Sequence, residues 1–195
     1  MSTDKYQNRY RIKSARAVWH DYNGGAYFIT ICTKNHEHFF GKIENSIMQL
    51  SEIGQYVSEN MQNINIHYPY ADVPLFVVMP NHIHAIVIID VTNCRDVARN
   101  VSTQSTPSPT DIMNEITNPK MTEIAKHQSL LCITIRGFKS AITKFANENS
   151  INFAWQTRFH DHIVRNQDEM NRIASYIENN QETWDADSYN NKNIK

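Results

Sequence analysis

Apolar positions along the 195-residue chain cluster into a few windows of clear period. Ala26–Thr33 (AYFITICT) is rich in β-branched and aromatic residues and follows Gly24-Gly25, which predicts a first strand. Residues 36–51, HEHFFGKIENSIMQLS, predict two short extended pieces around Gly41 that form a hairpin. Leu50, Ile53, Val57 and Met61 recur at helical spacing and predict a helix over Ser51–Asn63, although Ser51 with Gly54 three residues later is not a capping box. Asp72–Asp90 reads as two apolar strands joined at Pro80-Asn81, both turn residues. Periodicity disappears over 91–130, where VSTQSTPSPTD predicts a mobile loop with a short helix near Ile112–Ile116. Leu131, Ile135, Phe138, Ile142 and Phe145 then alternate in steps of four and three, one apolar helical stripe. Arg158–Asn166 predicts a strand. A last helix runs from Gln167 to about Glu182, with Met170, Ile173, Ala174 and Ile177 inward, and residues 185–195 read as a polar tail.

That order predicts an α+β fold, a ferredoxin-like βαββαβ antiparallel sheet with helices on one face and an added C-terminal helix. The other face of the sheet is expected to be free for a site. The chain reads as one domain: a basic arm over 1–24, a core over 25–90 and 131–184, an insertion over 91–130, and the tail.

Charge changes the picture through its distribution. The formal net charge is −1, which taken alone argues against a nucleic-acid partner. Yet residues 1–49 hold seven Lys/Arg against four Asp/Glu, and 131–166 hold five against two. Residues 50–90 hold four acids and no Lys or Arg, and 167–195 hold six acids against three bases, so basic regions are masked by acidic ones. Cys32, Cys94 and Cys132 form no CxxC pair, which points to a reducing compartment. The first 23 residues lack the apolar core of a signal peptide, and no apolar run is long enough to cross a bilayer. A soluble, cytoplasmic protein is expected.

Three His-x-His triplets are candidates for metal binding, because residues two apart on a strand share a face. His36/His38 sits in a polar hairpin, and His160/His162 encloses Asp161. Only His82/His84 encloses a bulky apolar residue, Ile83, and runs into an apolar strand, AIVII. Ile83 can lock into the helix-covered core while both imidazoles project from the opposite face. Two ligands do not complete a closed structural zinc site, so another residue must contribute or the site stays open to substrate. On the last helix, at about 100° per residue, Tyr176, Asn180, Glu169 and Arg172 share a stripe flanking the buried face.

VVMPNHIHAIVI, FKS within IRGFKSAITKF, WQTRFHDHIVRN and YIENN, in this order, resemble the REP-associated tyrosine transposases, one-tyrosine members of the HUH (His-hydrophobic-His) transposases and nucleases. The resemblance spans roughly residues 25–184 apart from 91–130. It implies a metal-dependent single-stranded DNA endonuclease and strand-transferase on a ferredoxin-like core, acting on hairpin or palindromic repeat DNA. By position, His82 and His84 correspond to the metal-binding pair, Asn180 to the third metal ligand and Tyr176 to the nucleophile of a covalent 5′-phosphotyrosine. The metal expected is Mg²⁺ or Mn²⁺, imidazole suiting Mn²⁺ better. Relatives commonly continue the tyrosine motif with Asn-Pro, whereas here Asn180 is followed by Gln181, which leaves the end of the helix open.

For single-stranded or hairpin DNA, the basic regions offer Arg9, Arg11, Lys13 and Arg16 around Tyr10, then Arg136, Lys139 and Lys144, and Arg158 and Arg165. His160 and His162 are placed along the DNA path. Monomer and homodimer both remain open. A non-catalytic nucleic-acid-binding module or a domesticated relative that binds palindromic DNA is the competing reading. A zinc hydrolase is disfavoured because no acidic general base stands beside the histidines in the sequence.

Overall fold

The computed structural model describes residues 24–92 and 129–190. Strand β1 (Gly25–Cys32) is followed by the hairpin β2 (Gly41–Glu44) and β3 (Ile47–Leu50), helices α1 (Glu52–Gln62) and α2 (Ile64–His67), and strands β4 (Ala71–Val78) and β5 (His82–Ile89). After the undescribed stretch come α3 (Leu130–Glu148), β6 (His160–Val164), α4 (Gln167–Glu178) and a 3₁₀ turn, Trp184–Ala186. The main sheet has the order β4-β5-β1-β6 with every neighbouring pair antiparallel, the ferredoxin-like arrangement expected.

Side chains of β1 and β5 alternate between two buried layers. Tyr27, Ile29, Ile31, Ile83, Ala85 and Val87 face one way and pack against Val57 and Met61 of α1 and Ile135, Phe138 and Ile142 of α3. Ala26 and Ile86 face the other way, where Val77, Met79, Met170, Ala174, Ile177 and Trp184 form a second cluster. The second face is therefore not free, as the sequence suggested. Helix α4 has an apolar stripe of its own, the first face is already filled by α1 and α3, and the stripe is buried on the face that remains. Ile173, expected inward, is only partly buried at the edge of this cluster.

Local chemistry sets the ends of the elements. Ser51, Ser129 and Asn166 cap α1, α3 and α4, each side-chain oxygen accepting a backbone N–H three residues on. Gly54 stands where a capping box would carry Glu because a Cβ there would collide with the Phe40 carbonyl. The hairpin does not turn at Gly41. It turns at Asn45-Ser46, whose φ values of 52° and 60° suit the twist of a two-residue hairpin loop. Gly41 opens β2 instead, at φ 138° and against the Gln49 backbone. Helix α4 stops at Glu178, one turn earlier than predicted, where the Asn179 amide folds back onto the Ser175 carbonyl at 2.9 Å. The loop and short helix expected over 91–130 fall largely outside the described residues. No described helix is long and apolar enough to cross a membrane.

Candidate active site

The alternation of β5 builds the centre of the site. Ile83 is fully buried in the helix-covered core, so its neighbours His82 and His84 turn to the α4 face, where they are 0 % and 1 % exposed. Each imidazole is held through Nδ1. Asn81 Oδ1 lies 2.8 Å from His82 Nδ1, and Thr30 Oγ1 on β1 lies 2.9 Å from His84 Nδ1. The amide oxygen can only accept, which assigns the proton to His82 Nδ1 and leaves the Nε2 lone pair free to bind. His82 Nε2 has no hydrogen-bond partner, an unusual condition for a buried nitrogen. Burial lowers both imidazole pKa values, that of His84 to about 4 and that of His82 well below its usual value, where the neighbouring His84 adds to the effect. Both rings are neutral near pH 7, the form that ligates a metal.

Two further groups, Asp187 and Tyr176, reach these nitrogens, and a third, Asn180, lies beside Tyr176. Asp187 Oδ2 stands 3.8 Å from His82 Nε2. Ligand atoms of His82, His84 and Asp187 all lie within 4.8 Å of one another, about twice a metal–ligand bond of roughly 2.0–2.4 Å. Asn180 is 1 % exposed, and its amide makes no hydrogen bond of good geometry, although it lies close enough to the Tyr176 hydroxyl to act on that phenol. The Tyr176 hydroxyl lies 3.1 Å from His84 Nε2, while its ring is 44 % exposed and edge-on to Phe28. Burial raises the pKa of this phenol, the Asp187 carboxylate raises it further, and Asn180 opposes the rise. Burial also raises the Asp187 carboxyl above its usual value and pushes the nearby Cys32 thiol up to about 11, so Cys32 stays protonated.

Tyr176 and Asn180 meet at the site, but not as one stripe of a continuing helix. The chain leaves α4 at Asn179, and the turn that follows drives Asn180 inward while Tyr176 stays at the surface. Asp187 and Tyr189 were not visible in the sequence, because residues 185–195 read as a polar tail. As far as residue 190 that segment packs over the site. Trp184, Asp187 and Asn190 are buried, and the Tyr189 ring sits 4.7 Å from His82. Their spacing of three was the available signal, since tight 3₁₀-type turns bring every third residue to one side. A carboxylate therefore does stand beside the histidines, contrary to the sequence expectation.

The other histidine triplets lie around this centre. His36 and His38 pack against Tyr189 and Trp184, with ring centroids 5.7 and 5.6 Å apart. On β6, His160 pairs with Thr30 and His162 with Phe28, which puts both on the face of the sheet that carries His84. His162 Nε2 is 2.8 Å from Glu169 of α4. Arg136, Arg158 and Arg165 are exposed, and Lys144 is exposed with Glu148 3.8 Å away. Lys139 is engaged within the fold: its ammonium donates to the Gln156 carbonyl at 2.6 Å and lies 5.4 Å from the centre of the Trp155 ring. Arg9, Arg11, Lys13 and Arg16 lie outside the described residues.

No family model matches the chain. An uncharacterized protein of Haemophilus influenzae Rd is 32% identical over 177 residues, covering 90% of this chain and 91% of its own. The chain belongs to that protein's family. Two solved structures are similar to this family member. One is a REP-associated tyrosine transposase bound to a REP hairpin, with a TM-score of 0.49 and 15% identity over 87% of this chain and 74% of that one. The other is a putative transposase from Deinococcus radiodurans R1, with a TM-score of 0.36 and 14% identity over 86% of this chain and 96% of that one. What the site of this family member does rests on its own geometry.

Proposed function

We propose that the protein is a divalent-metal-dependent single-stranded DNA endonuclease and strand-transferase, a transposase that links itself covalently to DNA through Tyr176. One observation carries the reading: an exposed tyrosine whose hydroxyl lies 3.1 Å from one of two buried, neutral imidazoles that open onto a common point. The motif resemblance supplies the substrate class, single-stranded or hairpin DNA. The donor set fits Mg²⁺ or Mn²⁺, because His82 Nε2 and the Asn180 amide are buried polar groups without hydrogen bonds of good geometry and Asp187 adds an anionic oxygen. His82, His84, Asp187 and Asn180 would hold the ion. When bound, it supplies positive charge that lowers the phenol pKa and neutralises the oxygens of the scissile phosphate.

The tyrosine oxygen attacks phosphorus in line. An O–P bond forms to the 5′ side, and the bond to the 3′ oxygen breaks, that oxygen leaving with a proton as a free 3′-hydroxyl. The phenol proton must depart as the O–P bond forms. The hydroxyl lies 3.1 Å from His84 Nε2, but that lone pair would be engaged by the ion, so the proton is released to solvent on the exposed side of Tyr176. Because the strand stays activated on the protein, a 3′-hydroxyl from another strand can reverse the step, which gives joining rather than degradation. Arg158 and Arg165 on either side of β6, His160 and His162 on its site face and Arg172 one turn before Tyr176 are offered as phosphate contacts, with Arg136 and Lys144 on α3. The segment with Arg9, Arg11, Lys13 and Arg16 is offered as a backbone-tracking arm.

The test is incubation of end-labelled single-stranded hairpin oligonucleotides with Mn²⁺ and wild type, Tyr176→Phe or His84→Ala protein. A denaturation-resistant adduct that maps to Tyr176 is expected from wild type alone. An adduct that persists in Tyr176→Phe, or maps to Tyr189, removes the nucleophile assignment. The His-His-Asp set also suits a zinc hydrolase. Cleavage that yields only released products, with no adduct at any time, would favour that reading.

A further inference from the structure

Asn81 is fully buried and makes hydrogen bonds in three directions. Its Oδ1 receives the His82 Nδ1 proton at 2.8 Å, and its Nδ2 donates to the His36 carbonyl at 3.1 Å and to the Tyr189 carbonyl at 2.7 Å. The first contact fixes which ring nitrogen of His82 is free. The third ties down the segment that carries Asp187, across 108 residues of sequence. A second bridge of the same kind is absent from His84, whose Nδ1 is met by the Thr30 hydroxyl on a neighbouring strand. Since an amide cannot reverse its oxygen and nitrogen without breaking all three contacts at once, the orientation of His82 and the closure of residues 184–190 depend on the same side chain.

We propose that Asn81 is a positioning residue that assembles the two halves of the site, holding His82 in its metal-binding tautomer and clamping the Asp187 segment over it. This rests on the proposed metal site, yet its consequences appear in the protein without metal or DNA. The principle is general: a ligating histidine gives its other nitrogen to an outer partner that sets tautomer and ring orientation. In this chain that outer partner's remaining donor also reaches the Tyr189 carbonyl, two residues from the further proposed ligand Asp187.

The experiment uses the full-length protein with metal removed. Long-range ¹⁵N–¹H spectra of the imidazoles report the tautomer of His82, and hydrogen exchange reports the backbone amides of Asp187, Tyr189 and Asn190. Wild type is expected to show His82 protonated on Nδ1, and finding it protonated on Nε2 overturns the proposal with no variant needed. Asn81→Asp is nearly isosteric and keeps the acceptor but loses the donor. It should retain the His82 tautomer while exchange over 187–190 accelerates at least tenfold. Asn81→Leu should lose both, while His84, held by Thr30, keeps its tautomer. Unchanged exchange in Asn81→Asp refutes the clamp, and an unchanged His82 tautomer in folded Asn81→Leu refutes the positioning role. If these responses appear and no DNA adduct forms, the nuclease reading fails and the role of Asn81 stands.

Discussion

The two buried imidazoles make a quantitative prediction about acid stability. His84 is 1 % exposed, and burial lowers its pKa from 6.5 to about 4. Between those values the unfolded chain holds a proton on residue 84 that the folded chain does not. Stability is therefore complete above the unfolded value and falls as the pH drops toward the folded one. At about 1.4 kcal/mol per tenfold change in proton activity, the whole passage removes about 3 kcal/mol, of which about 2 kcal/mol is gone at roughly pH 5. That is a large share of a marginal folding free energy of about 5–15 kcal/mol. His82 acts in the same direction, its pKa also lowered chiefly by burial. Asp187 acts in the opposite direction over its own range, because burial raises its carboxyl and acidification there favours the folded state. Urea denaturation of metal-free wild type and His84→Gln, at about pH 7.5 and about pH 5, reports the contribution of His84 together with its lesser effect on His82, since the burial of His82 and Asp187 is common to both proteins. The variant should lose about 2 kcal/mol less than wild type between the two conditions. Equal losses in the two proteins would show that His84 accepts a proton in place, and the neutral, preformed ligand pair would be wrong.

Two further predictions concern residues whose roles emerge from the fold. Asp187→Asn keeps the side-chain oxygen that accepts the Tyr189 N–H at 2.8 Å but loses the charge. It should weaken Mn²⁺ binding at least tenfold, about 1.4 kcal/mol, in a calorimetric or spin-resonance titration, and unchanged affinity would exclude it as a ligand. Lys139→Met should cost about 1–2 kcal/mol in urea, through loss of the bond to Gln156 and the cation–π contact with Trp155. A loss of hairpin affinity at unchanged stability would instead return Lys139 to phosphate contact.

Much of the site was legible because a strand encodes its faces with a period of two. Ile83 between two histidines, followed by AIVII, fixes which groups look toward the core and which look away, whatever the rest of the chain does. The same logic gave the inward residues of α3, where the apolar stripe ends in the same helix that the structure shows. It failed at the hairpin, because Asn and Ser can occupy left-handed conformations and the sequence placed the turn at the nearest glycine. It failed again after Glu178. There a helical period was carried past the point where Asn179 caps the backbone, and Asn180, expected on a helical stripe with Tyr176, is instead driven inward by the turn that follows.

Local pattern, then, determined the strands, the main helices and the paired imidazoles, since each depends on residues a few positions apart. Tertiary structure alone decided that α4 covers the second face of the sheet, that Asn180 turns inward, and that Asp187 and Tyr189 close over His82. Those arrangements are set by competition for buried surface and by contacts such as Asn81 to Tyr189, which join residues 108 positions apart and leave no periodic trace in the chain. A polar segment such as WDADSYN has little apolar surface to declare its fold. Its place is set by a buried tryptophan and by hydrogen bonds to its backbone.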